Sequence, residues 1–142
     1  MRALSELMEK REIKAHSVSP DDSVFSALQV LADRDVGALM VMDNGKLVGV
    51  FSERDYTRKI ALSGRSSKDT KVADIMTSQV LTVTAMTRTR DCMALMSQRK
   101  IRHLPVMDGD KAIGMISIRD IMDDIISDHE VTISQLKSYI AS

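Results

Sequence analysis

Hydrophobic and polar positions along this chain follow one pattern twice. Val24, Ala27, Leu28 and Leu31 fall at i, i+3, i+4 and i+7, the apolar stripe of an amphipathic helix. ALMVMD at 38–43 then has strand length, and Asn44-Gly45 is a hairpin signal because both residues tolerate positive φ. KLVGVFS at 46–52 is the return strand, and ERDYTRKIAL at 53–62 begins a second helix. Thr89, Cys92, Met93 and Met96 repeat the stripe; LPVMD, Gly109-Asp110, KAIGMIS and IRDIMDDII repeat the strand, turn, strand and helix after it. With short strands expected near Val18 and Val83, each unit is β-α-β-β-α.

The two units align without a gap. Residues 18–60 fall on 83–125, an offset of 65, and Val18, Arg34, Leu39, Val41, Met42, Asp43, Lys46, Gly49, Ser52, Arg54, Asp55 and Ile60 recur identically. Two copies are too few for a solenoid, so the expectation is a facing pair that closes a shared core. Ser19-Pro20-Asp21-Asp22 has the form of a helix start. VADIM at 72–76 and LSELM at 4–8 are expected as short lead-in helices, and GRSSKDT at 64–70 as a polar linker. Thr132-Ile133-Ser134-Gln135 has capping-box form, and Ile133, Leu136 and Ile140 predict a docked C-terminal helix. The predicted fold is α/β (α+β): two repeats related by pseudo-two-fold symmetry, small mixed sheets packed with helices. The predicted boundaries are an N-terminal helix and lead-in at 1–17, repeats at 18–62 and 83–126, a linker with a short helix at 63–82, and a C-terminal helix at 127–142.

Composition narrows the function. Twenty basic side chains balance twenty acidic ones, so no global field attracts nucleic acid or an anionic membrane. Apolar runs fall far short of a membrane span, and MRALSELMEKREIK is too polar for a signal peptide. The lone Cys92 rules out a disulfide framework and fits a reducing compartment, so a cytoplasmic soluble protein is expected.

The recurring Ser-x-Arg-Asp, at 52–55 and 117–120, carries the candidate chemistry. Ser and Asp three apart form a capping box, which contributes about 1 kcal/mol and explains those two residues structurally. It leaves Arg54, Arg119, Gly49 and Gly114 unexplained. A strand running into a helix also exposes backbone N–H groups, to which a Ser hydroxyl and an Arg guanidinium add phosphate donors. An Asp beside them suits a ribose diol. Two nucleotide handles, and so two pockets, are the functional expectation.

These features together resemble a tandem CBS (cystathionine β-synthase) domain pair, or Bateman module. The residues that carry the likeness are the paired Gly-x-x-Ser-x-x-Asp segments, DIMT before the second repeat and RHLPVMD inside it, and it spans residues 4–128. The resemblance implies clefts for adenosine-containing ligands such as AMP, ADP, ATP, S-adenosylmethionine or NAD(H). It implies ribose contacts from Asp55 and Asp120, ribose or phosphate contacts from Ser52 and Ser117, and phosphate contacts from Arg54 and Arg119. Adenine would lie against Leu81, Thr82, Val83, Ile101 and Val50 around Asp55. Around Asp120 it would lie against His16, Ser17, Val18, Val36 and Met115. Arg102-His103 stands where the other repeat has Gly37-Ala38, so the pockets should differ in charge, and either cleft could use the pair.

Other constellations point nowhere. The methionines fall on core faces, Cys92 sits on a buried stripe without a placed base, and His16, His103 and His129 lack metal-ligand spacing. A regulatory module is expected: no enzyme, catalytic cofactor or metal, but a homodimer that senses an adenine nucleotide and signals to an unidentified protein partner. The alternative is a structural dimerisation adaptor with empty clefts.

Overall fold

The computed structural model describes residues 2–11, 13 and 15–141. Met1, Glu12, Lys14 and Ser142, which belong to the expected N-terminal lead-in and C-terminal helix, lie outside the described residues. The chain begins with α1 (Leu4–Lys10). The first half then runs β1 (Ser17–Val18), α2 (Val24–Arg34), β2 (Ala38–Asp43), β3 (Lys46–Ser52) and α3 (Glu53–Tyr56), which passes into a π-turn at Thr57–Ala61. A short helix α4 (Val72–Ile75) opens the second half, followed by β4 (Val83–Thr84), α5 (Thr89–Arg99), β5 (His103–Asp108), β6 (Lys111–Ser117) and α6 (Ile118–Ala141).

Both halves carry the same three-stranded mixed sheet. β1 pairs parallel with β2, and β2 antiparallel with β3; β4, β5 and β6 repeat the order. Asn44 and Gly45 take φ of 49° and 80°, as their hairpin requires, and a register shift follows Val41 and, at the equivalent place, Val106.

The lead-in helices are exchanged. Val72 and Ile75 of α4 are buried in the core of the first half, with Val24, Leu39, Phe51 and Ile60. Leu4 and Leu7 of α1 complete the core of the second half, with Cys92, Leu104, Ile116 and Ile121. The backbone docking is equivalent: Val72 and Ala73 donate to the carbonyls of Asp22 and Pro20, while Leu4 and Ser5 donate to those of Thr87 and Ala85. Gly49 makes room for this packing, since a Cβ there would stand 2.6 Å from Met76 Sδ and 3.0 Å from the Thr77 carbonyl oxygen. Gly114 does the same beside Ile13, at 3.2 Å.

Two expected helix starts are corrected. Ser19–Asp22 forms a closed turn, in which the Ser19 N–H donates to Asp22 Oδ2 at 2.9 Å. The turn spends its carbonyls on α4, and α2 begins four residues later, where Ser23 Oγ accepts the Ser26 N–H at 3.0 Å. Thr132 starts nothing: its hydroxyl donates to the Asp128 carbonyl one turn back, and α6 continues through it. The tail helix is not docked on this chain, because Ile133, Leu136 and Ile140 are 52%, 58% and 82% exposed.

The linker is not loose. Thr70 and Ser67 carbonyls accept the first two amides of α2, from Val24 and Phe25, at 2.8 and 2.9 Å.

Candidate functional site

Both Ser-x-x-Asp segments close as capping boxes. Ser52 N–H and Oγ–H donate to Asp55 Oδ2 at 3.0 and 3.1 Å, and the Asp55 N–H returns to Ser52 Oγ at 3.2 Å. Ser117 and Asp120 repeat this at 2.9, 2.8 and 3.1 Å. The intervening amides of Glu53 and Ile118 donate to the carbonyls of Gly37 and Arg102. Three of the four junction amides in each half, at Ser52, Glu53 and Asp55 or at Ser117, Ile118 and Asp120, are therefore committed. The expected cradle of free N–H groups is largely spent, and α3 is only 4 residues long before its π-turn. An anion here must be met by side chains.

Those side chains surround a cleft of about 970 Å³ beside Asp55. It lies within the range of about 300–1,000 Å³ common for small-molecule sites. Arg54, Arg58, Lys59, Arg99, Lys100 and Arg102 line it, against Glu53 and Asp55 as the only acids among the described residues. Val50, Ile101, Leu81, Val80 and Pro105 give it an apolar side, and Thr77 and Gln79 add polar groups. Arg54 reaches across the repeats, its guanidinium donating to the Lys100 carbonyl at 2.7 Å. Lys100 ends α5 with a left-handed φ of 55°, which turns that carbonyl out of the helix.

Asp55 is buried and fully partnered. Oδ2 takes both Ser52 donors; Oδ1 takes the Thr77 hydroxyl at 3.2 Å and the Lys59 ammonium at 3.3 Å. Those four contacts match the acceptor sites of a carboxylate. Lys59 also donates to the Ile75 carbonyl at 2.8 Å, so it ties the site to α4.

Of the residues expected around Asp55, the cleft brings together Val50, Ser52, Arg54, Leu81, Ile101, Arg102 and His103, with Gly37 and Ala38. Thr82 is exposed and Val83 is buried in the second core, so neither lines it. Gly37 accommodates His103, whose Cε1 would lie 3.3 Å from a Cβ at that position. Burial holds the His103 imidazole below its ordinary value of 6.5, with Asp120 pulling it up and Arg102 pushing it further down.

The set expected around Asp120 does not line this cleft. Val18 belongs to the first core with Val36 packed on it, Ser17 and Arg119 are exposed, and His16 and Met115 are half-buried. Sequence reasoning missed Arg58, Lys59, Arg99, Lys100, Thr77 and Gln79. Arg58 follows Arg54 by one helical turn, and Arg99-Lys100-Ile101-Arg102 is a visible basic run, so spacing could have flagged both.

Cys92 is fully buried, and burial, followed by the charge of Asp91, pushes its thiol up to about 11. Such a thiol is a packing group and a poor nucleophile.

Two sheet-and-helix repeats, cross-stitched by their lead-in helices and holding a basic cleft between them, define a paired-repeat ligand-binding scaffold. The chain matches the CBS domain family over residues 4–62 and 72–127, and it belongs to that family. It is 42% identical over 125 residues to the CBS domain-containing protein CBSX3, mitochondrial, of Arabidopsis thaliana, covering 84% of this chain and 61% of that protein. It thus spans about three fifths of that relative's length. A putative signal-transduction protein with CBS domains from Burkholderia ambifaria superposes with a TM-score of 0.86 at 40% identity, covering 89% of this chain and 95% of that one. The CBS domain pair of MJ0100, solved in complex with 5'-methylthioadenosine and S-adenosyl-L-methionine, shares the fold at a TM-score of 0.78 and 20% identity, covering 90% of this chain and 98% of that one. No helix among the described residues is long and apolar enough to cross a membrane.

Proposed function

We propose that this chain is a regulatory module, not an enzyme, which binds an adenosine-containing ligand (AMP, ADP, ATP or NAD(H)) between its CBS repeats and relays occupancy to a partner protein. The observation that carries this reading is the Asp55 cleft, where a carboxylate, an apolar wall and a ring of cations meet across both repeats. Apolar side chains at Val50, Leu81 and Ile101 suit an adenine, Asp55 a ribose diol, and the cations a phosphate. Because Asp55 has no spare acceptor site, the ribose takes the place of Lys59 or Thr77. A displaced Lys59 is free to turn to the phosphate, and its hold on the α4 carbonyl is loosened. Occupancy is thereby linked to the lead-in helix, and the ligand shifts the population between two arrangements of the repeats. The buried thiol of Cys92 suits a reducing compartment such as the cytoplasm.

The homodimer reading rests on α6. Met122, Ile126, Ile133, Leu136 and Ile140 are each at least half exposed and, with His129, follow alternating steps of four and three. That is a coiled-coil seam with Ile at one core position and Met122, His129 and Leu136 at the other, which a second copy of the same helix fits. Glu130 and Lys137 flank the seam on one side and complement each other across an antiparallel two-fold pair. The adaptor reading, with empty clefts, is favoured only by the complete internal satisfaction of Asp55.

A panel of adenosine ligands in a thermal-shift assay tests the two against each other. AMP or NAD(H) raises the melting temperature of the wild type, and Asp55→Ala removes part of that shift. A flat response to the whole panel at millimolar concentration sinks the sensor reading.

A further inference from the structure

The 65-residue offset that superposes the repeats also superposes their charges, and three of them invert. Arg58, Lys59 and Lys100 of the Asp55 cleft correspond to Asp123, Asp124 and Asp35. Two of the acids are engaged elsewhere. Asp124 is buried, 3.1 Å from Arg2 Nε, and Asp123 lies 3.9 Å from Arg11, so both hold the N-terminal segment against α6. Arg2 also pairs with Asp128, and Lys10 approaches the same carboxylate at 4.0 Å. The positions that Arg58 and Lys59 hold at the cleft in the first half serve in the second, as Asp123 and Asp124, as acidic anchors for the chain's own basic arm.

We propose that each chain binds a single polyanion, at the Asp55 cleft, and that Arg58, Lys59 and Lys100 select ligands carrying two or more consecutive phosphates over a monophosphate. This rests on the adenosine reading above and adds to it which half takes phosphate and what fixes the choice. The committed junction amides leave the anion to side chains, and six basic groups exceed what one phosphate can engage. Arg54 is already held on the Lys100 carbonyl, close to the repeat interface, so the outer cations Arg58, Arg99 and Lys100 are placed for the distal phosphates. After Asp120 the positions of Arg58 and Lys59 are held by Asp123 and Asp124, already paired with Arg11 and Arg2, so they offer a phosphate no donor. One Asp120 oxygen has no hydrogen-bond partner among the described residues, which leaves that half able to accept ribose hydroxyls from a neutral nucleoside.

Isothermal titration of the full chain with adenosine, AMP, ADP, ATP and inorganic tripolyphosphate, at one ionic strength, tests this. Affinity is expected to rise on the order of tenfold with each phosphate beyond the first, because each gains a charge-assisted contact. ATP is expected to saturate at one per chain, with tripolyphosphate competing for the same site. Arg58→Asp with Lys100→Asp, which places at each position the acid found at its counterpart in the other repeat, should flatten the series, with adenosine titrated into the same variant as the uncharged reference. Both positions are exposed, and a melting curve checks that the variant folds; Lys100→Gln alone, which leaves the carbonyl used by Arg54, should give a partial loss. A flat AMP, ADP and ATP series overturns the inference and leaves the adenosine reading standing. So does a second equivalent of ATP, or a variant with an unchanged gradient. If tripolyphosphate binds and no adenosine compound does, the adenosine reading falls and the polyanion site survives; if nothing binds, both fall.

Discussion

The two halves of this molecule differ least where their sequences announce a function and most where they do not. Ser52-Asp55 and Ser117-Asp120 are the same capping box to within a few tenths of an ångström. Around these boxes the side-chain partners and the helices that follow diverge. Asp55 is closed by Thr77 and Lys59, whereas Asp120 receives, among the described residues, only its own serine. The helix after the first box lasts 4 residues and unwinds through a π-turn toward Gly64; the helix after the second runs 24 residues. Six cations ring the first box, and the counterparts of three of them, Arg58, Lys59 and Lys100, are acids. The lesson is that the repeated motif belongs to the architecture, which both halves need. On the reading proposed above, specificity belongs to unrepeated positions such as Arg58 and Lys59, one helical turn away.

The largest effect that could break this comparison concerns the exchanged lead-in helices. If α1 completes the second core and α4 the first, Leu7→Ala should loosen β4–β6 and Ile75→Ala should loosen β1–β3. Each side chain is buried to within 1%. Each substitution should therefore cost about 2–5 kcal/mol in denaturant unfolding. Hydrogen exchange resolves where the loss falls. Faster exchange of β1–β3 amides in Leu7→Ala would show that each lead-in belongs to its own repeat.

A second contrast, the unequal helices after the boxes, carries a smaller effect. The seam of α6 exists only because the second helix does not stop where the first does. Ile133→Glu puts a charge in the middle of that seam and should weaken self-association by at least about tenfold, with the melting temperature of the monomer unchanged. Sedimentation velocity across a concentration series reads it. A variant that dimerises as well as the wild type moves the interface to another face.

Much of this was legible in the residues. The β-α-β-β-α order and hairpins followed from apolar period and turn chemistry, because those signals are local. Ser19-Pro20-Asp21-Asp22 misled, since a turn and a helix start use the same side chains. The choice between them was made by α4, whose amides take the Pro20 and Asp22 carbonyls from fifty residues away. The Thr132 box misled for a related reason: a Ser or Thr within a helix bonds one turn back as readily as it caps. In the site, several residues expected around Asp55 line one cleft, but no motif singled out Arg58, Lys59 or Lys100. Only the closure of one repeat on the other turns them into a wall. The exchange of lead-in helices had no local signature, since LSELM and VADIM carry apolar residues that suit either core.

The smallest effect, and the sharpest, belongs to His103, whose counterpart Ala38 cannot titrate. Burial keeps its imidazole below 6.5 in the folded chain, the Asp120 carboxylate opposing and Arg102 reinforcing that shift. Above an unfolded value of about 6.5 both states are neutral, and the fold has its full stability. As pH falls below that value the unfolded chain takes up its proton first, so stability is lost until His103 protonates in the fold as well. A phosphate among Arg54, Lys100 and Arg102 acts the other way. It favours the imidazolium, so its binding takes up a proton and strengthens as pH falls through the same window. Acidification therefore destabilises the empty module while tightening its hold on an anion. The two trends separate in melting curves at pH 7.5 and 5.5, run with and without ATP, and proton uptake appears as a buffer-dependent binding enthalpy. His103→Gln should remove the proton uptake and reduce the loss of stability on acidification, leaving the opposite proton release of the terminal phosphate, whose second pKa is about 6; adenosine, which is uncharged, lacks that second contribution. An unchanged pH response in that variant would move the titrating group away from the seam between the repeats. The asymmetry between Gly37-Ala38 and Arg102-His103 would then be one of shape alone.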